Sequence, residues 1–289
     1  MIRRMLFIDR SDGKRVRGLP AINAIMPYLM RKRNESVVYF AKDIDVESAM
    51  RYVHRKNSEE GGNRFSLFGL ILFAAARTLS LKPRMNRFVH RRGLYQRKDL
   101  SISFIVKKKL TEEAAETNAK IRFDRGDRIF EAIERINKGI EAARGEELGA
   151  DDREVTTAHR IPFGKGFATT AFRLLDRFNL APAGMIDNDP LYTSVYFANL
   201  GSIGLDTPYH HLYEWGSASI FVVMGRMFQK DLLRPDGSVS RRHFINFKVS
   251  LDERIGDGIY FAHAASLFQR FIVHPELLEE APDLDSAES

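Results

Sequence analysis

Late in the sequence the chain reads Leu251-Asp252-Glu253-Arg254-Ile255-Gly256-Asp257-Gly258. Residues 244–251 are rich in β-branched and aromatic side chains, which predicts a strand before this stretch. From Phe261 onward apolar residues recur at three- and four-residue steps, which predicts a helix after it. The stretch is therefore expected to form a tight turn between a strand and a helix.

Four other short motifs lie before and after this turn. The first directly follows a long apolar segment, and the next two lie in the β-rich later part of the chain. In order they are Pro83-Arg84-Met85-Asn86, Ala198-Asn199-Leu200-Gly201-Ser202, Ser217-Ala218-Ser219-Ile220-Phe221-Val222 continuing to Gly225, and His274-Pro275-Glu276-Leu277-Leu278. Each motif is short, so their common order carries the information.

With the turn, these motifs resemble the landmarks of the coenzyme-A-dependent acyltransferase superfamily. That superfamily includes the catalytic domain of 2-oxoacid dehydrogenase dihydrolipoyl acyltransferases and, more distantly, chloramphenicol acetyltransferase. The turn resembles the signature Asp-His-Arg-x-x-Asp-Gly, but Glu253 stands where the family keeps its histidine. The resemblance covers residues 21–278. It implies an α/β domain with a chloramphenicol-acetyltransferase-like mixed sheet flanked by helices, which assembles as a homotrimer with active sites at subunit boundaries.

The resemblance also implies a reaction. In the family the histidine takes a proton from a thiol or hydroxyl, the thiol attacks an acyl carbonyl, and a hydroxyl stabilises the oxyanion, without a metal. Coenzyme A or an acyl-coenzyme A is the implied substrate. Glu253 is the candidate base here, and a glutamate needs an apolar site for this role because its ordinary pKa is about 4.3. Ala198 stands where the hydroxyl is expected, and losing one such donor costs on the order of 100- to 1000-fold in rate.

Asp257 and Gly258 match the family signature. The family's aspartate orients active-site groups through an ion pair, and the alternative for Asp257 is to cap the final helix. Arg254 is expected to form a local ion pair or to lie at the surface rather than to clamp a substrate.

His210 and His211 are further candidates for the catalytic base, because adjacent histidines in a loop near the Asn-Leu-Gly motif could reach a cleft. Neighbouring side chains point apart, so at most one of the two is expected to serve. The alternative is a structural pair in which one ring packs on Trp215 and the other is solvated.

Coenzyme A contacts are implied for the residues that match the family's turn motifs. These are Asn199, Gly201, Ser202 and Asn86. For Asn86 the alternative is a hydrogen bond within a turn.

Composition narrows the class of protein. The chain has 289 residues, a formal net charge of +7 and no cysteine. Without cysteine it has no disulfide framework, thiolate nucleophile or Cys-based zinc site, which suits a reducing cytoplasm. The most apolar segment, residues 65–81, carries Arg77 and is shorter than the roughly 18 uncharged residues that a membrane span needs, so no transmembrane segment is expected.

The positive charge comes from short clusters spread along the chain. They are Arg31-Lys32-Arg33, Arg91-Arg92, Lys107-Lys108-Lys109 and Arg241-Arg242. Solvated faces explain most of them, and the alternative is an anionic ligand. Coenzyme A phosphates fit that alternative better than nucleic acid, because no helix-turn-helix, RNA-binding aromatic signature or zinc-finger spacing is visible. No nucleic-acid partner is expected.

Periodicity predicts the order of the elements. Helices are predicted at residues 20–33, 46–55, 65–81, 127–144 and 168–178, followed by the last helix from residue 261. Strands are predicted at residues 37–44, 87–96, 100–108, 192–197, 219–227 and 244–251, with 87–96 and 100–108 as a pair. Residues 57–63 are predicted to be a loop and residues 145–157 a mobile connection.

No internal repeat or domain boundary is visible, so residues 1–289 are expected to form a single acyltransferase-like catalytic domain with an acidic tail at residues 279–289. The sequence shows no lipoyl Asp-Lys-Ala motif, no Ala/Pro-rich linker and no small subunit-binding domain. The acyl thioester is therefore expected to come from a small molecule or another protein.

Three functions fit these observations. The first is altered acyl transfer in a coenzyme A channel, with Glu253, His210 or His211 as the base. The second is a non-catalytic trimeric scaffold or regulator of an acyl-transfer assembly. The third is a basic protein that binds a nucleic-acid or membrane surface, for which one continuous basic face is the diagnostic feature. A channel that ends at Glu253 would favour the first, and a blocked channel in an intact trimer the second.

Overall fold

The structure, a computed structural model, describes residues 9–62, 64–107, 116–145 and 164–284. Its helices are α1 Ala21–Leu29, α2 Glu47–Glu60, α3 Leu67–Leu81, α4 Ile129–Arg144, α5 Gly164–Arg177, α6 Ala183–Asn188 and α7 Gly258–Val273. Its strands are β1 Gly13–Arg15, β2 Val37–Asp45, β3 Arg87–His90, β4 Gly93–Arg97, β5 Leu100–Lys107, β6 Glu116–Phe123, β7 Val195–Asn199, β8 Ile220–Leu233 and β9 Val239–Asp252. Short 3₁₀ helices lie at Pro83–Asn86, Leu200–Ile203, Glu253–Ile255 and Pro275–Leu278.

Six strands form a mixed sheet in the order β2-β9-β8-β7-β5-β6. The two central pairings, β8 with β7 and β7 with β5, are parallel, and the outer pairings are antiparallel. Strands β1, β4 and β3 form a separate small sheet. This mixed sheet, flanked by helices, confirms the predicted fold class.

Alternating side chains give the large sheet two different faces. On β9, Phe247 and Leu251 are buried in the main core, together with apolar side chains of α3, α4 and α7. On β8, Phe221 and Val223 point the other way and pack with Leu212 from the loop that follows β7. The helices thus cover one face, called here the core face, and a loop partly covers the other, called here the second face.

The predicted core helix is confirmed, and it begins at Leu67 rather than at residue 65. Its side chains are buried almost throughout because it lies between the sheet and other helices. Ser66 caps it, its hydroxyl accepting a hydrogen bond from the Gly69 amide at 3.0 Å, and the following Pro83 prevents its continuation. The guanidinium of Arg77 donates to the carbonyls of Glu280 and Asp127, so this buried charge is hydrogen-bonded.

The predicted pairing of residues 87–96 with 100–108 is wrong. Residues 87–97 fold back on themselves as the hairpin β3–β4, with Arg91 and Arg92 between the paired His90 and Gly93. The β5 strand belongs to the large sheet, where it pairs with β6 and β7. The turn was not recognised because Arg91 has a positive φ of 55° at a position where glycine is favoured.

The end of one helix and the presence of one strand also differ from the sequence prediction. The helix predicted at residues 46–55 continues as α2 through most of the predicted loop and ends at Gly61 in a left-handed conformation. The β6 strand was missed, although Ala119, Ile121 and Phe123 alternate with polar residues in its sequence. Of the connection predicted at residues 145–157, only Gly145 lies within the described residues; Lys108, Lys109 and the last five tail residues also lie outside them.

The amphipathic helix predicted at residues 168–178 is confirmed within α5, but its predicted apolar side is only partly packed. Phe172 is buried and stacks on Trp215 with ring centroids 5.2 Å apart. Leu175 and Phe178 on the same predicted side are 40% and 42% exposed. One aromatic side chain and an ion pair from Asp176 therefore hold this helix against the rest of the chain.

Candidate active site

The strand-to-helix turn is built around a buried ion pair. Asp252 ends β9 and is fully buried, and Arg254 lies two residues later in the 3₁₀ helix. The Arg254 guanidinium donates twice to the Asp252 carboxylate, from Nε to Oδ1 at 2.8 Å and from Nη2 to Oδ2 at 2.6 Å. The Ser36 hydroxyl and the Arg254 amide also donate to Oδ1, each at 3.1 Å. Arg254 thus forms a buried ion pair with the aspartate before Glu253, rather than lying at the surface.

This ion pair also ties the turn to α1. Arg254 Nη1 donates to the carbonyl oxygen of Met30 at 2.8 Å. Desolvating two charges is costly, and removing one partner of such a pair leaves a buried charge uncompensated. The local backbone is therefore fixed on both sides of residue 253.

Glu253 lies between these two inward-pointing residues. Its amide donates to the Ser36 carbonyl at 2.9 Å, which fixes its backbone. Its side chain is partly exposed, and no side chain or amide of the described ranges donates to its carboxylate. The residues that the structure describes therefore do not enclose Glu253 in the apolar site that a glutamate base needs.

Asp257 acts as the cap of the last helix. Its carboxylate accepts from the Tyr260 amide at 2.9 Å, and its side chain is 60% exposed. Within the described part of the chain, the one cation near this carboxylate is Arg84, whose Nη1 lies 3.9 Å from Oδ2. Gly258 opens the helix with free space around its Cα.

The Asn-Leu-Gly motif forms a tight turn between β7 and the following loop. Asn199 Oδ1 accepts from the Ser202 amide at 3.2 Å, and the Ser202 hydroxyl donates to the Asn199 carbonyl at 2.8 Å. A Cβ on Gly201 would lie 2.4 Å from the carbonyl oxygen of Gly225, so only glycine lets this turn pack against β8. These interactions are structural, and they engage the polar groups that the resemblance assigns to coenzyme A.

The Asn86 side chain hydrogen-bonds to a residue 13 positions later rather than within its own turn. Its Nδ2 donates to the Asp99 carbonyl at 2.8 Å, and its backbone carbonyl accepts from the Gln96 side chain. Its Oδ1 is buried without a hydrogen-bond donor from the described residues. The residue lies between the core helix and the small sheet.

The two histidines do not point apart as predicted. Their rings stack with centroids 4.7 Å apart, and the His210 ring stacks on Phe221 at 3.9 Å. The prediction was wrong because this loop lies flat on the second face, where Phe221 offers an aromatic surface. Trp215 is not their partner, since it stacks on Phe172.

The hydrogen bonds of these histidines fix their tautomer. Nδ1 of His210 lies 2.7 Å from the His211 carbonyl oxygen, and Nδ1 of His211 lies 3.0 Å from that of Leu212. A carbonyl only accepts, so Nδ1 carries the proton in each neutral ring and Nε2 keeps a lone pair. Burial lowers the pKa of His210, which keeps it neutral near pH 7.

The candidate residues fall into two groups. His210, His211 and Ala198 belong to the second face, because Phe221 on β8 pairs with Tyr196, two residues before Ala198. Glu253 and Asp257 belong to the turn after β9. A hydrogen bond links the groups, since the Ser250 hydroxyl of β9 donates to the His210 carbonyl.

Within the described ranges, no three His, Asp or Glu side chains are grouped so that they could hold a metal ion. None of the helices there is both long and apolar enough to cross a membrane. Two features of the site were missed from sequence, the identity of Asp252 as the ion-pair partner of Arg254 and the convergence of several arginines beside this pair. For the ion pair, the signal in the sequence was an aspartate at the end of a strand with an arginine two residues later.

Comparison with solved structures decides the fold. The cubic core of a pyruvate dehydrogenase multienzyme complex matches with a TM-score of 0.59 at 14% identity, over 92% of this chain and 94% of that chain. The dihydrolipoamide acetyltransferase of Azotobacter vinelandii matches with a TM-score of 0.59 at 16% identity, over the same shares. The chain has the fold of a dihydrolipoyl acyltransferase catalytic core.

A more distant similarity agrees with this fold. Chloramphenicol acetyltransferase matches with a TM-score of 0.50 at 11% identity, over 88% of this chain and 92% of that chain. No protein-family model and no curated protein matches the chain. At these identities the fold is shared, and the activity has to be argued from the residues of the site.

Proposed function

We propose that this chain binds an acyl thioester of coenzyme A and takes part in acyl transfer, with Glu253 as the group that accepts the thiol proton. One observation carries the proposal. The buried Asp252–Arg254 pair holds the turn on either side of Glu253, while the Glu253 carboxylate itself is left without a hydrogen-bond donor from the described residues. Two buried charges thus fix the position of one available carboxylate.

The chemistry requires that the site be closed. A glutamate carboxylate in water has a pKa about 4 units below that of a thiol, so it removes a thiol proton poorly unless burial makes it more basic. We propose that a second copy of the chain covers the turn and the second face in a homotrimer. Exposed apolar groups on that face support this, since Tyr39 and Tyr209, in edge contact at 5.6 Å, are 47% and 51% exposed.

Under this proposal the histidines have a secondary role. His210 offers a neutral Nε2 on the second face and is the alternative base, and stacking on Phe221 fixes its ring.

Asn199, Gly201, Ser202 and Asn86 support the site through their turns. The acyl donor is a small-molecule or protein-borne thioester, and the protein acts in the cytoplasm as one domain over residues 1–289.

Calorimetric titration with coenzyme A and acetyl-coenzyme A tests the proposal. The variants are Glu253→Gln and Glu253→His, with Glu280→Gln as a matched control on an exposed carboxylate. Wild type and control are expected to bind saturably, and the two Glu253 variants are expected to bind more weakly or with a changed pH dependence. Absence of binding to every protein, with the oligomer intact, would contradict it.

A second candidate function is a non-catalytic trimeric scaffold. Ala198 favours it, because this residue supplies no hydroxyl for an oxyanion and its neighbours Asn199 and Ser202 hydrogen-bond to each other. Under this reading the buried ion pair serves the fold alone. An intact trimer that binds no thioester would select this candidate.

A further inference from the structure

A second site lies beside Arg254, in a cleft of about 470 Å³. The β3–β4 hairpin, the segment after α1 and helix α5 form its walls. Six arginines line it, namely Arg31, Arg33, Arg91, Arg173, Arg177 and Arg254. Two of the sequence clusters, around Arg31 and Arg91, therefore meet here although they are far apart in the chain. A neighbouring cleft shares Arg31, His90, Arg91 and Arg177 with it, so the two form one groove.

Among the described residues, the arginines of this cleft outnumber its carboxylates. Its lining contains two carboxylates, Asp176 and Glu214. Asp176 pairs with the buried Arg10 at 2.7 Å, and Glu214 accepts from the Asn34 amide at 3.1 Å. Of the arginines, Arg254 is neutralised by Asp252, and Arg33 donates to the carbonyls of Tyr213 and Gly216.

Four guanidinium groups remain exposed without a carboxylate partner among the described residues. They are Arg31, Arg91, Arg173 and Arg177. The Cζ atom of Arg173 lies 5.6 Å from the centroid of the Trp215 ring, within the range of a cation–π contact. Like charges gathered in one concave space repel each other, and an anion in the cleft would remove this cost.

Two buried polar atoms of residues in the cleft lining are also unpaired among the described residues. Arg33 is 7% exposed, and its buried Nε has no hydrogen-bond partner in the described structure. His90 Nε2 is buried and also lacks one. Buried polar groups are nearly always hydrogen-bonded, so unpaired ones at a cleft indicate a missing ligand or water.

The cleft wall is fixed in place by a buried charge network. Arg10 is 2% exposed and bridges Asp12 of the amino-terminal segment to Asp176 of α5, at 2.7 Å to each carboxylate. This network holds α5, and hence Arg173 and Arg177, against the hairpin. The cleft is thus a formed site and not a chance meeting of surface side chains.

The conformation of Arg91 adds independent support. It has a φ of 55° in a two-residue hairpin turn, where glycine would avoid backbone strain. An arginine at this position lowers the stability of the folded chain, and it adds a guanidinium group to the cleft lining.

From these observations we propose that the cleft binds the diphosphate group of a small molecule. Guanidinium groups bind phosphate oxygens through two parallel hydrogen bonds, and several arginines around one cavity fit a diphosphate better than a single phosphate. The volume suits a ligand of metabolite size. The diphosphate belongs either to coenzyme A or to a free nucleotide. The proposal does not rest on acyl transfer, because Glu253 is not part of the cleft lining.

Calorimetric titration at low salt with pyrophosphate, ADP and coenzyme A tests the proposal. The cleft variant is Arg31→Gln with Arg177→Gln, and the control is Arg51→Gln with Arg270→Gln, two exposed arginines outside the cleft. Wild type is expected to bind all three saturably, the cleft variant at least tenfold more weakly, and the control like wild type. Tighter binding of coenzyme A than of ADP identifies coenzyme A as the source of the diphosphate. Equal affinity for the two identifies a free nucleotide.

The proposal is overturned if no titration saturates, or if both double variants weaken binding equally, because overall charge would then explain the effect. A variant that is expected to fold well provides a second check. Arg91→Gly removes one cleft charge at a position that favours glycine, and it is expected to weaken pyrophosphate binding at least threefold. Unchanged affinity in this variant would contradict the proposal.

Discussion

The turn at Glu253 and the arginine cleft lie next to each other and use buried charges in the same way. In the turn, Asp252 and Arg254 neutralise each other. The Glu253 carboxylate between them has no hydrogen-bond donor among the described residues. In the cleft, Arg10 joins Asp12 and Asp176, and four exposed guanidinium groups of the lining have no carboxylate partner within the described ranges. The difference is the sign of the unpaired group. A negative group at a turn can accept a proton, whereas positive groups in a concavity can bind an anion.

Breaking the buried pair in the turn is expected to have the largest effect. Asp252→Asn leaves the Arg254 charge buried without its partner, and such a loss lowers the free energy of unfolding by about 3–5 kcal/mol. Urea denaturation at pH 7 measures it. Asp206→Asn removes an exposed partner of Arg226 and is the matched control, for which little change is expected. Equal effects of the two variants would show that the buried pair does not fix the turn.

The Asn199 turn is expected to behave as a packed structural element. Gly201→Ala places a methyl group against the Gly225 carbonyl and should lower the free energy of unfolding by roughly 1–3 kcal/mol. Gly166→Ala is the matched control, because its added Cβ meets no atom within 4 Å in α5. It should leave stability unchanged or raise it slightly. If Gly201→Ala leaves the free energy of unfolding unchanged, the turn is not held by packing, and a role in ligand binding becomes the better explanation.

Acidification should weaken the cleft wall through His90. Burial, with the nearby Arg10 charge, lowers the pKa of His90 to about 3 from 6.5. The unfolded chain therefore takes up this proton below pH 6.5 while the folded chain does not, so stability falls as the pH drops from 6.5 towards 3. Between pH 7 and pH 5 the loss from this group is about 2 kcal/mol. His90→Gln should remove that part of the decrease in urea denaturation curves, and an unchanged decrease would show that His90 is not its source.

Relief of strain at Arg91 should have the smallest effect. Arg91→Gly removes the cost of a positive φ and is expected to raise the free energy of unfolding by about 1 kcal/mol. Thermal unfolding of the variant beside wild type measures this. A lower melting temperature would mean that the arginine contributes to folding beyond its backbone conformation.

The sequence predicted the elements whose signal is local. The strand before Asp252, the cap at Asp257 as one of two alternatives, and the core helix at residues 67–81 followed from periodicity, capping and Pro83. Their order, with the motif resemblance, was sufficient for the fold class.

The rest depended on contacts between distant segments. Arg31 and Arg91 meet only because the hairpin and the segment after α1 form walls of one cleft. The stacked histidines depend on Phe221, which the second face presents beneath their loop. The hairpin itself was hidden because an arginine occupies a glycine-like turn position.

The role of Glu253 is tested most directly by the rate at which free coenzyme A is formed from acetyl-coenzyme A while a small dithiol takes up the acetyl group. Wild type, Glu253→Gln and Glu253→His are compared under identical conditions. We expect Glu253→Gln to lose at least about 100-fold in rate, since positioned bases contribute roughly 10²- to 10⁴-fold, and Glu253→His to recover or exceed the wild-type rate. Equal rates in all three proteins, no higher than without protein, would contradict the role assigned to Glu253.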